Sequence, residues 1–211
     1  MLKWVVACGL IAAGWLGIVC EAASAEKLGT FIGEVVTRWE DDGRRMTLME
    51  PIKFVDGSGR SWRVPRGVLV DGASIPSIFW SFIGGPFEGK YRNASIIHDY
   101  FCEVRTRKWE EVHRVFFEGM LASGVGLSRA RLIYEAVNRF GPRWAPPKVD
   151  PKCLKQDGSI DLSKCTENSA VSKTEVTFPK AGAAELNAFL NDAGKIGDPE
   201  DVRALREAVG R

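Results

Sequence analysis

The spacing of hydrophobic residues changes partway along this chain, and that change limits its fold more than any other feature. The segments Phe31 to Trp39 and Arg45 to Val70 are rich in β-branched and aromatic residues, which favour strands. Turn signals interrupt them at Asp41-Asp42-Gly43 and at Asp56-Gly57-Ser58-Gly59. This half of the chain is therefore predicted to form short antiparallel strands.

From Pro76 to Phe140 the hydrophobic spacing becomes helical. Glycine-containing stops divide this stretch at 84–86, at 124–126 and at 141–142. The pattern predicts a helical core of about three helices. Together with the preceding strands, it places the chain in the α+β class and predicts a core domain over residues 27–144.

The rest of the chain has weaker signals. Residues 145–177 are polar and contain proline without a sustained period, which predicts a linker. Residues 178–211 are predicted to form short C-terminal helices, the second opened by Asp198 as N-cap and Pro199 at the first helical position. We expect these helices to be a loosely packed appendage.

The first 25 residues have the pattern of a secretory signal peptide. Lys3 is a basic start, residues 4–19 carry no charge, and Ala23-Ser24-Ala25 has the small residues of a cleavage site. An uncleaved anchor is the alternative, although the apolar stretch is shorter than the roughly 20 residues that a membrane span needs. The sequence thus predicts residues 1–25 to be a cleaved signal and the protein to be periplasmic or secreted.

Export bears on the cysteines, because disulfides form in oxidising compartments. Cys153 and Cys165 bracket a polar loop and are the natural pair. Cys102 is then the odd thiol. The alternative is that all three thiols stay reduced in a chain that is not exported.

Charge gives little evidence of a macromolecular partner. Lys and Arg total 29 and Asp and Glu total 27, so the formal net charge is +2. Nucleic-acid proteins usually carry a clear positive excess, so no nucleic-acid partner is expected. Membrane contact is expected only through the signal peptide or a surface contact.

The only two histidines of the chain lie on consecutive predicted helices. On a helix over residues 91–104, an apolar stripe is bordered by a polar wedge that consists of Ser95, His98, Asp99 and Cys102. On the next helix, over residues 109–121, His113 falls within the apolar stripe. The two imidazoles could therefore face each other, although a histidine on an apolar stripe is more often a core residue.

A loop upstream offers ligands for a hard cation. Asp71 and Gly72 follow a predicted strand, where a carboxylate and a backbone carbonyl can be presented together. Calcium needs such oxygen ligands, and Asp99 could supply another. His98 beside the metal would then be a general base that activates water to attack an ester carbonyl.

Three motifs in order resemble a bacterial and phage family called domain of unknown function 1353. The motifs are Asp71-Gly72-Ala73-Ser74-Ile75-Pro76, then residues 91–100 with the His98-Asp99 pair, then residues 112–120 with His113. The resemblance covers roughly Lys27 to Trp144. It implies no activity, because that family has no settled one.

The Asp-Gly loop and the helical His-Asp pair are also more distantly similar to the secreted prokaryotic phospholipases A2. That resemblance implies His98 as the base and Asp71, Gly72 and Asp99 as calcium ligands. It implies a lipid or another ester as substrate. Both families usually place an Asp where this chain has His113, so His113 is the second candidate catalytic residue.

Two further interpretations stay open. Two imidazoles and a carboxylate make a sound zinc site, so His98, His113 and one of Asp71 or Asp99 are an alternative metal centre. The other interpretation is a non-catalytic envelope or phage-derived module, in which the same motifs only hold the helices to the strand loop.

Overall fold

A computed structural model of the chain describes residues 28–43, 45–71, 89–145, 148–153, 163–166, 171–172, 174–180 and 182–209. The predicted signal peptide, Gly72 and the expected helical start at Pro76 lie outside the described residues. Among the helices that the structure describes, none combines the length and apolar character that a membrane span requires.

Six short strands form two antiparallel sheets in the N-terminal half, as the sequence predicts. One sheet has the order β1-β4-β5 and the other has the order β2-β3-β6. Their bounds are β1 Thr30–Ile32, β2 Thr37–Trp39, β3 Met46–Leu48, β4 Ile52–Val55, β5 Ser61–Val64 and β6 Leu69–Val70. The predicted turns at 41–43 and 56–59 are confirmed, because they join β2 to β3 and β4 to β5.

Alternation along β4 and β5 explains which face of the sheet packs inward. Ile52 and Phe54 on β4 and Trp62 and Val64 on β5 are buried, whereas the residues between them are half-buried or exposed. The buried side chains share one core cluster with residues of the first helix, among them Phe101. Trp62 meets the ring of Phe101 edge to face at 5.0 Å between centroids.

Three helices follow and form the helical core. They are α1 Arg92–Val104, α2 Trp109–Ala122 and α3 Leu127–Phe140. α1 ends where Arg105 adopts a left-handed conformation with φ of 55°, and the stop after α2 contains Gly124 with φ of 79°. The predicted α+β class and the order of its elements are confirmed.

The polar segment after the core contains strands that the sequence did not predict. β7 (Arg143–Trp144) pairs with β10 (Val176–Thr177), and β8 (Lys148–Val149) pairs with β9 (Val171–Ser172). A short 3₁₀ turn over Pro151–Cys153 follows β8. Each strand has two residues, which is too short to leave a period in the sequence.

The predicted C-terminal helices are present as α4 (Ala183–Ile196) and α5 (Pro199–Val209). Asp198 accepts a hydrogen bond from the backbone N–H of Asp201 at 2.9 Å and so caps α5, as expected. The expectation of loose packing was wrong, because Phe189 and Leu205 are fully buried in one core cluster with residues of α3. The two helices complete the helical core.

The predicted Cys153–Cys165 disulfide is present, with 5.6 Å between the two Cα atoms. Cys102 is buried and lies outside this disulfide. We expect a Cys153→Ser/Cys165→Ser double variant to lose about 2 to 3 kcal/mol of unfolding free energy, because the bridge restricts the unfolded chain. Denaturant unfolding checks this. An unchanged denaturation midpoint, or peptide mapping that finds Cys102 in a bridge, would contradict it.

Candidate metal centre

The polar wedge of α1 is buried, and it faces α2. Ser95, His98, Asp99 and Cys102 are all at most 9% exposed. The apolar residues on either side of the wedge enter the two core clusters, so the helix cannot turn the wedge toward solvent. α1 and α2 pack as a hairpin joined by residues 105–108, and His113 on α2 meets the wedge.

Three donor atoms converge between the two helices. His98 Nε2 lies 2.9 Å from His113 Nδ1, which is a hydrogen-bond distance. Cys102 Sγ lies 3.6 Å from His98 Nε2 and 3.8 Å from His98 Nδ1. Ligand atoms of the three residues all lie within 4.8 Å of one another. The arrangement brings together two imidazoles and one thiol, which could hold a metal ion.

Aromatic side chains surround this cluster and keep it dry. The ring of Phe116 lies 4.8 Å from that of His98, and Trp109 meets His113 edge to face at 5.3 Å. His98 is 1% exposed, His113 is 0% exposed and Cys102 is 8% exposed. Because water is excluded, charged forms of the imidazoles are disfavoured.

Both imidazoles are therefore neutral at physiological pH. Burial, and secondarily the charge of His113, lowers the pKa of His98 well below its ordinary value. Burial lowers the pKa of His113 to about 4; the carbonyl of Pro142 partly opposes this effect, and the charge of Arg143 adds to it. A neutral imidazole has a free lone pair, which is the form that binds metals.

The outer nitrogen of His113, Nε2, is buried. Within the described part of the chain, buried Nε2 has no hydrogen-bond partner of normal geometry. The backbone carbonyl of Pro142 is nonetheless close enough to favour a proton on this ring. Metal-binding histidines usually direct their other N–H to a carbonyl or a carboxylate. In His113, Nδ1 faces His98, and Nε2 forms no such hydrogen bond with a described residue.

One of the donor distances matches that of a tetrahedral zinc site. Zinc bonds of about 2.0 Å to nitrogen and 2.3 Å to sulfur imply about 3.3 Å between two nitrogen ligands and about 3.6 Å between nitrogen and sulfur. The separation of Cys102 Sγ and His98 Nε2 is 3.6 Å, and the two imidazole nitrogens are 2.9 Å apart. The two nitrogens are thus a few tenths of an ångström closer than an ion requires, and the third pair, Cys102 and His113, lies within 4.8 Å.

The carboxylates of the predicted site do not join this cluster. Among the described residues, the group of three potential metal ligands includes neither Asp71 nor Asp99. Asp71 follows β6, and its charge acts on Arg45, which precedes β3. Asp99 is buried on α1 next to His98. Because Gly72 lies outside the described residues, the calcium site of Asp71, Gly72 and Asp99 stays a prediction.

Sequence reasoning placed Cys102 in the polar wedge but did not identify it as a ligand. The signal was the spacing of His98 and Cys102, since residues four apart on a helix lie one above the other. A histidine on the next helix then provides the third donor. The structure brings together His98 and His113, and the third donor beside them is the thiol of Cys102 and not a carboxylate.

Comparison with known proteins gives one family match. Residues 46–137 match the family described as Protein of unknown function (DUF1353). The match contains all three residues of the cluster and confirms the first of the two resemblances. Nothing in the comparisons supports the resemblance to phospholipases A2.

Two proteins of Sinorhizobium fredii are similar to this chain. Uncharacterized protein y4jT is 48% identical over 195 residues, which cover 92% of this chain and 54% of that protein. Uncharacterized protein y4iH is 38% identical over 172 residues, which cover 80% of this chain and 66% of that protein. The chain therefore spans about half to two thirds of the length of these relatives. No solved structure matches.

Proposed function

Because residues 46–137 belong to the DUF1353 family, whose name gives no activity, we propose a function from the site itself. The domain binds one transition-metal ion, zinc, between α1 and α2. His98, Cys102 and His113 are the ligands. The observation that supports this proposal is the convergence of two neutral imidazoles and a thiol within 4.8 Å in a buried place.

The donor types favour zinc over calcium. Calcium takes six to eight oxygen ligands, whereas zinc takes nitrogen and sulfur ligands in tetrahedral sites. The cluster offers two nitrogens and one sulfur and no carboxylate among the described residues. With this assignment His98 holds the metal and is not a free base.

Three protein ligands leave one tetrahedral position for a water or a substrate oxygen, as in catalytic zinc sites. We propose that this position supports ester hydrolysis, with a lipid or another ester as the substrate. The protein would act in the periplasm or outside the cell. The Cys153–Cys165 disulfide supports this location, because such bridges persist in oxidising compartments.

A non-catalytic role is the second candidate, and the burial of the three ligands favours it. Closed sites are typical of structural zinc, which contributes directly to folding. In that case the ion would hold α1 to α2 in an envelope or phage-derived module.

Metal content tests the proposal. We expect the protein purified from its native host to contain about one zinc per chain, and a Cys102→Ser variant to lose it, because a hydroxyl replaces the thiolate ligand. Ser95→Ala is the matched control, since Ser95 lies in the same buried wedge but outside the donor set. Metal analysis that finds no transition metal in the wild type, or equal zinc in Cys102→Ser, would overturn the proposal.

Turnover then separates the two candidates. The wild type, zinc-depleted protein and zinc-restored protein are assayed with a panel of activated esters. Activity that disappears on depletion and returns with zinc supports the hydrolase. If zinc binds and raises the melting temperature but no ester is hydrolysed, the structural role is supported.

A further inference from the structure

The short strands after α3 pair in one continuous pattern. β7 and β10 form an antiparallel ladder in which Trp144 pairs with Val176. In the ladder of β8 and β9, Lys148 pairs with Ser172, so four steps forward along one side match four steps back along the other. The two ladders therefore share one register. We call the first of them, β7 with β10, the strap.

Each side of the strap is tied to the loop between α1 and α2 by one hydrogen bond. Trp144 in β7 donates from Nε1 to the backbone carbonyl of Arg107 at 2.8 Å. Arg105 donates from Nη1 to the backbone carbonyl of Thr174, which lies two residues before β10, also at 2.8 Å. Both bonds involve the loop 105–108, which separates the two helices that carry the proposed ligands. The strap is thus attached at the loop end of the α1–α2 hairpin.

Side chains of the strap also pack near the proposed ligands. Trp144 is buried and shares a core cluster with Cys102. The guanidinium carbon of Arg143 lies 4.9 Å from the ring centroid of Trp109, and the other neighbour of that ring is His113, which it meets edge to face. The strap therefore contributes to the burial of the proposed ligands on the loop side.

An ion can reach three ligands that are at most 8% exposed only if part of the surrounding structure opens. Local opening usually occurs in segments that few contacts hold in place. The strap has two residues in each strand, whereas α1 and α2 have 13 and 14 residues. An isolated two-stranded ladder is only marginally stable in water. Of the described elements next to the ligands, the strap is therefore the one that we expect to open most readily.

The disulfide between Cys153 and Cys165 lies on the far side of the second ladder. Cys153 follows β8 through the short 3₁₀ turn, and Cys165 precedes β9. The bridge thus joins the two chain segments that continue from the strap. Because a cross-link restricts the conformations of an open chain, this one favours the closed strap.

We propose that the strap closes the metal centre and that the Cys153–Cys165 disulfide keeps it closed, so that the strap controls how fast the ion enters and leaves. This inference rests on the proposed function, because it requires an ion between α1 and α2. It adds a means by which an ion with fully enclosed ligands is retained and exchanged.

Zinc exchange by the full-length purified protein tests the inference. Zinc-loaded protein is mixed with an excess of a chromophoric zinc chelator, and the colour reports release of the ion. We expect a Cys153→Ser/Cys165→Ser variant to release zinc at least about tenfold faster than the wild type, because the open strap is no longer restricted. Uptake of zinc by the depleted variant should be faster by a similar factor, since the strap obstructs passage in both directions.

Two further variants make the result specific to the strap. Trp144→Phe removes the hydrogen bond to Arg107 but keeps an aromatic ring, and it should also exchange zinc faster than the wild type. Leu205→Ala is the matched control for lost stability, because Leu205 is fully buried on α5 in the core cluster that includes no strap residue. It should exchange zinc like the wild type. Circular dichroism verifies folding, and Trp144→Phe alone serves if the double variant does not fold.

The outcomes separate this inference from the proposed function. A wild type that binds no zinc refutes the metal centre and, with it, the role of the strap. A wild type that holds zinc while the strap variants exchange it at the wild-type rate overturns the strap alone. Exchange in Leu205→Ala that is as fast as in the double variant also overturns the strap, because release would then follow unfolding of the whole domain.

Discussion

Replacing Asp56 with alanine is expected to lower the free energy of unfolding by about 2 to 4 kcal/mol, because several buried or half-buried hydrogen-bond donors lose their acceptor. The Asp56 side chain is fully buried, and Oδ2 accepts hydrogen bonds from Arg60 Nε at 3.1 Å and from Trp62 Nε1 at 2.9 Å. Oδ1 accepts bonds from the backbone N–H groups of Ser58 and Arg60. All these donors lose their acceptor together.

The turn that Asp56 organises also holds the sheet to α2. Arg60 donates a hydrogen bond from Nη1 to Glu111 at 3.1 Å, and the backbone N–H of Gly57 donates to Glu118 at 3.2 Å. Burial alone would raise the pKa of Asp56, but hydrogen bonds from Ser58, Trp62 and Arg60 outweigh it and hold that pKa well below its usual range. The ionised carboxylate is therefore the form that supports the turn.

Asp42→Ala is a matched control for this prediction. Asp42 occupies the other predicted turn, and it accepts hydrogen bonds from the backbone N–H and the Nε of Arg45. Both side chains are exposed. Exposed pairs usually contribute 1 kcal/mol or less. Urea unfolding of the two variants compares a buried turn carboxylate with an exposed one. Equal losses would show that burial of Asp56 does not determine its effect.

Acid is expected to destabilise the metal-free protein between about pH 6.5 and pH 4. The pKa of His113 is lowered to about 4 in the folded state, whereas an unfolded histidine has an ordinary value of about 6.5. The unfolded chain therefore binds more protons in this window, and stability rises with pH. His113 alone accounts for about 3 kcal/mol, at about 1.4 kcal/mol per pKa unit. His98 acts in the same direction.

Stability rises with pH because the histidine is neutral in the folded state. The stabilising effect is fully present above pH 6.5 and is lost as the pH falls toward 4. The stabilising effect of the ionised Asp56 carboxylate declines only as the pH falls to about 4 and below, because unfolded aspartate titrates there. Urea unfolding of zinc-free protein from about pH 7 to about pH 5.5 follows the histidines before the carboxylates titrate. A His113→Gln variant should show a shallower slope, and an unchanged slope would contradict the assignment.

The hairpin of α1 and α2 could be predicted from sequence almost to the residue. Predicted segments of 91–104 and 109–121 compare with Arg92–Val104 and Trp109–Ala122. The reason is physical: both helices bury one strong apolar stripe, and left-handed or glycine residues end them locally. The two histidines were predicted to face each other for the same reason.

The ligand set could be predicted only in part. His98 and Cys102 lie one turn apart on α1, so their spacing alone predicts that they are side by side. Cys102 was not predicted as a ligand, because the sequence showed it only as the cysteine outside the predicted disulfide. The expected third ligand was a carboxylate from Asp71 or Asp99. Which of several polar groups meets two imidazoles depends on how helices rotate against their neighbours, and local spacing does not determine that rotation.

The packing of the C-terminal helices could not be predicted for a related reason. Amphipathic spacing shows that α4 and α5 have an apolar face, but it does not show which surface covers that face. Phe189 finds its partner in Phe140, where the two rings meet edge to face at 5.7 Å. That contact joins residues 49 positions apart, a separation beyond the reach of any local pattern.

All three proposed ligands come from a span of 16 residues, because His98 begins the set and His113 ends it. Contacts that are close in sequence cost little loop entropy and form early in folding. The hairpin can therefore bring the three proposed ligands together before distant contacts such as that of Phe140 with Phe189 form. If the protein is exported and binds metal as we propose, it would take up its ion as the chain leaves the translocation channel, and the metal supply of that compartment would decide which ion the fold encloses.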